Sequence, residues 1–447
     1  MFFSENKTVA SGLAAVLLSF SATASALSTE NAPELLSPAQ LPAQISVNPD
    51  AEIAGGPLTL KQALALTLTS NLELAAFSEE IRAREAAELQ AGLLPNPVFG
   101  ANAGNFGNRS VKGFDGDVVT LQLSQLIELG GKRAARIQVA QVGREVADWD
   151  YEIQRVTVLS RAAQAFIDVL SSQVHTELTQ HSLELAEKVV QTVNNQVRAG
   201  KVSPVEATRV EVALATARSE TIRTERELET ARRKLAAFWG STAPEFTNVQ
   251  GDLEAIQTLP SLPSLTERLN HSPEFARWTS ELSRRQALLE EEKAKAVPDL
   301  TVTLGGSNYL DRQDYVMNLG FSLPLPVFDR NQGNIQQAER RRHKAENEQE
   351  ATQVRIGTEL NATYLNLEAI HAELENYQST ILPGAESAYQ AVQKGYQFGK
   401  FALLDVLDTQ RTLFTARGQY LHALATYQQG VADIERLMGS ALSEDSK

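Results

Sequence analysis

The chain of 447 residues contains no cysteine, which excludes disulfides, thiolate metal sites and an N-terminal lipidated cysteine. It also lacks an apolar run long enough for a membrane-spanning helix, which needs roughly 20 residues. The run from Gly12 to Phe20 covers only nine positions. With Lys7 before it and Ala24-Ser25-Ala26 after it, it has the charged start, apolar middle and small-x-small end of an export signal. Residues 1–26 are expected to be removed, so that the mature chain begins near Leu27. A helical inner-membrane protein is thereby excluded, leaving a periplasmic, secreted or outer-membrane barrel protein.

An excess of positive charge is missing as well. The net charge is −14, so nucleic-acid phosphates would be repelled and no nucleic-acid partner is expected. The six histidines, at 175, 181, 271, 343, 371 and 422, include no i, i+4 metal-spaced pair, and no glycine-rich phosphate loop is present. The sequence offers no catalytic constellation, cofactor site or resident metal site, and the protein is not expected to be an enzyme. Its acidic balance suits a conduit for cations, although plain solubility is the favoured reading of it.

What the chain does have is an internal repeat. Thr216-Ala217-Arg218 recurs as Thr415-Ala416-Arg417, Gly200-Lys201 as Gly399-Lys400, and Trp239-Gly240 is answered by Met438-Gly439, all at an offset of 199 positions. Leu94-Pro95-Asn96 matches Val297-Pro298-Asp299 at a slightly larger offset. The expected organisation is an extended segment over 27–56, repeat 1 over 57–240, a proline-bearing linker over 241–263, repeat 2 over 264–439 and a tail over 440–447.

Each repeat has the same predicted order. A helix comes first, over 60–93 and 265–296, stopped by Pro95 and Pro97 in repeat 1 and by Pro298 in repeat 2. Two extended runs follow in each repeat, 98–106 with 118–126 and 300–305 with 315–323, the first pair joined by a loop holding Phe114-Asp115-Gly116. Each repeat thus contributes one β-hairpin. Residues 132–198 and 334–382 then run without a proline, and the first would reach roughly 100 Å as a helix, implying a coiled coil or tube. In the returning helix, Leu214, Ala217, Thr221, Thr224, Leu228, Ala231, Leu235 and Phe238 keep strict 3-4 spacing. Their mates are Leu413, Ala416, Tyr420, Ala423, Tyr427, Gly430, Ile434 and Leu437. A seam of that period supercoils against a partner, and its small residues permit close backbones.

Two hairpins give four strands, whereas a membrane barrel needs at least about eight to leave no open edge. Three copies would supply twelve strands and gather the helices around one axis. A soluble periplasmic coiled-coil adaptor or scaffold is the alternative of another class, and it should lack the paired hairpins.

Ala91-Gly92-Leu93-Leu94-Pro95-Asn96-Pro97, Glu128-Leu129-Gly130-Gly131-Lys132-Arg133 and Pro324-Leu325-Pro326-Val327-Phe328-Asp329-Arg330-Asn331-Gln332-Gly333, together with the duplication, resemble the TolC outer-membrane efflux family over essentially the whole mature chain. The wording is most similar to the family's heavy-metal, cobalt-zinc-cadmium (CzcC-like) branch. The resemblance implies a mainly α fold with a membrane β-barrel, in which a homotrimer forms twelve strands in outer-membrane lipid and a helical tunnel projects into the periplasm. It also implies two protein partners, a periplasmic adaptor (membrane fusion protein) and an inner-membrane resistance-nodulation-division pump. Drug efflux and type I protein secretion share that architecture and stay open as alternatives. The helix-turn-helix ends at Gly200-Lys201 and Gly399-Lys400-Phe401 are the expected adaptor-contacting tips. Asp405 and Asp408, three apart and so on one helix face, resemble the acidic periplasmic aperture, together with Tyr396 and Glu206. Phe401 stands where an arginine of the family's closing link is expected, with Lys400 beside it.

Overall fold

The computed structural model describes residues 56–104, 118–257, 259–310 and 313–442. The export signal, residues 27–55, the Phe114-Asp115-Gly116 loop and the last residues of the tail lie outside them. In chain order the elements of repeat 1 are β1 (Leu58–Thr59), α1 (Leu60–Ser70), α2 (Leu72–Ala91), β2 (Val98–Gly104), β3 (Val118–Ile127), α3 (Lys132–Arg198) and α4 (Pro204–Ala237). After β4 (Val249–Gln250), repeat 2 follows with α5 (Leu262–Leu269), α6 (Pro273–Lys295), β5 (Leu300–Tyr309), β6 (Asp314–Ser322), α7 (Gln332–Asn376), α8 (Leu382–Gln397) and α9 (Leu403–Met438).

The first helix of each repeat is broken in two, which the apolar pattern does not predict. Asn71 ends α1 and caps α2, its Oδ1 accepting from the Leu74 N–H at 3.0 Å while its Nδ2 donates to the Phe238 carbonyl at 2.8 Å. A side chain that caps locally and also binds a distant carbonyl offsets the cost of ending a helix there. In repeat 2 the break falls before Pro273, which opens α6. There Gly439, at the end of α9, lies against the Pro273 ring. Both returning helices therefore finish at the break in the first helix.

The long helices do form, and α3 keeps its expected bounds. In repeat 2 the helix continues past the expected end at 382, because a π turn over Tyr377–Ile381 precedes Pro383. The Leu382 N–H reaches back to the Tyr377 carbonyl, a wider loop that accommodates a proline without stopping the helix. Along the returning seams Thr221, Thr224, Ala231 and Leu235 of α4 are buried, as are Leu413, Ala416, Tyr420, Ala423, Tyr427, Ile434 and Leu437 of α9. Gly430 sits under Leu367, whose Cδ2 would be 2.7 Å from an added Cβ. The main core lies midway along α3, around Phe166, Val169 and Leu170, with Leu360, Leu367 and Leu374 of α7. Residues between the repeats are bound to it: the Gln173 side chain pairs with both backbone groups of Val249, and the Tyr427 hydroxyl donates to the Gln257 carbonyl at 2.9 Å.

The hairpins join in one antiparallel sheet of order β2-β3-β5-β6. Its register separates two faces. Phe99, Leu123, Leu304 and Leu319 run across one, beside Leu121, Met317 and Phe321. Across the other the Thr120 and Ser307 hydroxyls bond at 2.9 Å, those of Ser124 and Thr303 at 3.0 Å, and Asn318 Nδ2 donates to Ser307 Oγ at 3.0 Å. The apolar face is exposed in the single chain.

Candidate functional site

The two turns opposite the sheet end have one backbone design. Gly200 at φ +70° and Gly399 at φ +71° take the left-handed conformation that an L side chain adopts only at a cost. The Lys201 N–H then bonds the Gln196 carbonyl, and the Lys400 N–H the Gly395 carbonyl, each at 2.9 Å. This closes off the last carbonyls of α3 and α8. Ser203 Oγ accepts from the Val205 N–H to start α4, with Pro204 in its first turn. At α9 the same task falls to Asp405, whose Oδ2 accepts from the Ala402 N–H at 2.8 Å.

The turns pack together through buried Val193, Val210 and Leu403, with Val197, Val202, Tyr396 and Leu407 partly buried around them. Tyr396 donates its hydroxyl to Gln196 Oε1 at 2.9 Å. Burial, and then the charge of Glu206, push the Tyr396 phenol pKa up, so its proton stays on as a donor. Glu206 pairs with Arg209 at 3.2 Å, yet its Oε2 is buried without a hydrogen-bond partner. Phe401 lays its ring over Gly395, where a Cβ would collide with it. Lys201, Lys400, Asp405 and Asp408 are exposed.

Of the residues expected at an aperture, Tyr396 and Glu206 are thus neighbours in one cluster. Asp405 has a structural task at its helix start, and Asp408 lines a groove with Val205, Arg209, Leu404, Leu407 and Arg411. The groove, of about 850 Å³, runs between α4 and α9. Sequence reasoning missed Gln196 and Gly395. These two are mates at the repeat offset, and a comparison of the repeats at the residues before each turn would have drawn attention to them.

The segments around Pro95 and Gly131, at the other end of the helices, also have a structural meaning. Arg136 binds Glu128 at 2.6 Å and donates to the Ala91 and Leu93 carbonyls, while Arg133 donates to that of Gly92. The Arg136 hydrogen bond holds the Glu128 pKa below its ordinary value despite burial. Lys132 pairs with Asp299 at 2.7 Å. Burial would raise the Asp299 pKa, but the bonds from Lys132 and the Leu129 N–H outweigh it and keep the group low. Among the described residues no three acidic or histidine side chains are placed to hold one metal ion.

A sheet with two chemically distinct faces, carried on duplicated long helices, is the fold of an outer-membrane channel subunit. The family model for outer membrane efflux proteins matches residues 63–241 and 265–440. The chain is 37% identical over 386 residues to the cobalt-zinc-cadmium resistance protein CzcC of Cupriavidus metallidurans, covering 86% of this chain and 91% of that one. It is 23% identical to the outer membrane protein TolC of Escherichia coli K12, over 80% of this chain and 77% of that one. Crystal structures of CusC align at a TM-score of 0.74 with 17% identity, covering 92% of this chain and 99% of that one. A membrane protein from Pseudomonas aeruginosa aligns at 0.75 with 18% identity, over 85% and 92%. The chain belongs to the outer membrane efflux protein family.

Proposed function

We propose that three copies of the chain form a twelve-stranded outer-membrane barrel continued by a periplasmic helical tunnel, a passive conduit for divalent heavy-metal cations. The observation that carries this reading is the two-faced sheet with β2 and β6 as open edges. Unpaired strand edges are not tolerated in lipid, and a ring of copies satisfies them with the apolar face outward and the hydroxyl face toward water. The identity to a cobalt-zinc-cadmium resistance protein supports the choice of cargo. Energy and substrate choice belong to an inner-membrane pump of the resistance-nodulation-division type, joined through a periplasmic adaptor at the Gly200-Lys201 and Gly399-Lys400-Phe401 turns. Asp405 and Asp408, with Glu206 and Tyr396 behind them, would ring the entrance.

Membrane fractionation tests the assembly: a detergent-stable trimer in the outer membrane is expected, and a soluble monomer would refute it. For the cargo, a deletion strain should lose tolerance to cobalt, zinc or cadmium. Unchanged metal tolerance with raised drug sensitivity would move the protein to drug efflux.

A further inference from the structure

Where repeat 1 hands over to repeat 2, β3 pairs with β5 so that Ser124 faces Thr303 and Ile127 faces Leu300. The loops at that end interlock. The Leu129 N–H donates to Asp299 Oδ1 at 3.0 Å, Lys132 binds the same carboxylate, and Gly130 backs onto Val297 so closely that a Cβ would lie 2.6 Å from it. Copies set around a ring would bring β6 antiparallel to the next copy's β2, repeating this junction between chains. Within the hairpins Val98 faces Ser124 as Thr301 faces Ser322, which makes Ser322 the mate of Ser124 and Gly100 the mate of Thr303. Ser322 then faces the next copy's Gly100, as Ser124 faces Thr303.

The loops that would meet there are 323–331 and 93–97. The first is tied down: Asn331 Nδ2 donates to the Glu292 carbonyl and carboxylate at 2.8 and 2.7 Å, and Gln332 Nε2 to the Phe328 carbonyl at 3.2 Å. Yet Leu325 is 77% exposed, Val327 62% and Phe328 91%. The second loop is held by Arg136 on the Leu93 carbonyl and Gln125 on that of Pro95, while Leu94 is 65% exposed. Nine residues separate β6 from α7, against four between β3 and α3, and the added length carries the apolar side chains. Asn96 occupies the place of Asp299 and Leu94 that of Val297. The salt link therefore has no counterpart, and exposed apolar side chains stand in its place.

We propose that loop 323–331 of each copy clasps residues 93–97 of the next, seating Leu325, Val327 and Phe328 against the next copy's Leu93 and Leu94. This rests on the ring of copies proposed above. The chain has no cysteine of its own, so differently tagged copies carrying Val327→Cys and Leu94→Cys can be co-expressed and treated in membranes with a short bismaleimide. A second pair, Gly320→Cys with Asn102→Cys, reports the β6–β2 seam in the same register. Both pairs are expected to link unlike copies, with neither cysteine alone doing so. Linking by the strand pair but not the loop pair overturns the clasp and leaves the ring standing. Linking by neither overturns the ring as well. Quenching of a fluorophore on Val327→Cys by brominated phospholipid, without loop linking, would show lipid as the occupant instead. Leu325→Ser with Phe328→Ser should also lower the temperature at which the detergent-resistant oligomer dissociates, and an unchanged temperature counts against the clasp.

Discussion

Arg136 shows how much one side chain organises here, since it satisfies a nearly buried carboxylate together with the carbonyls of Ala91, at the end of α2, and Leu93. Its replacement by leucine leaves all three without their donor, at a cost of about 2–3 kcal/mol. The same pair sets a pH response. Glu128 has a depressed folded pKa, so its contribution is present above the unfolded value of about 4.3 and is lost as pH falls through the folded one. Thermal unfolding followed against pH should therefore show an acid-side loss of stability that Arg136→Leu flattens. At the turns, Asp405 caps α9, so a charge test must keep a hydrogen-bond acceptor. Asp405→Asn with Asp408→Asn should lower cation selectivity in planar bilayers while oligomer yield stays near normal, because exposed carboxylates contribute little to packing. Normal selectivity with collapsed oligomers would make both residues structural.

Among the elements, the seam where α9 meets α7 is closely packed. Gly430→Ala places a methyl against Leu367 and should cost about 1–3 kcal/mol by overpacking. A mutant more thermally stable than the parent would show that Leu367 swings aside freely and that only the helix-propensity gain of alanine over glycine remains. The 3.5-residue period made this seam legible, and the proline-free stretch gave α3 its bounds, because long helices declare themselves by pattern over many turns. The breaks at Asn71 and before Pro273 were not legible, since both answer to the distant end of a returning helix. The passage through Pro383 was also hidden, as a π turn leaves no mark in apolar spacing. At the candidate site the glycine turns could be read from sequence, but the Tyr396 to Gln196 bond could not, because it joins two turns 200 positions apart.

At the scale of the whole molecule, the proposed channel turns on which face of the sheet meets lipid. Leu304 lies on the apolar face, between Leu123 and Leu319, whereas Asn318 lies on the hydroxyl face beside Ser307. An arginine at the first position would have to be buried in hydrocarbon, costing about 2–4 kcal/mol per copy near the midplane. A ring of three multiplies that cost, so Leu304→Arg should leave little detergent-stable oligomer in the outer-membrane fraction. A lysine at the second position would point its charge into water and should assemble normally. Asn318→Lys should nonetheless reduce the preference for cations in bilayer recordings, since three added positive charges would line one narrow wall. The two variants together fix the orientation of the sheet. If Asn318→Lys abolished assembly and Leu304→Arg assembled with altered selectivity, the faces would be reversed, with the hydroxyl ladder toward lipid and the apolar face lining the pore.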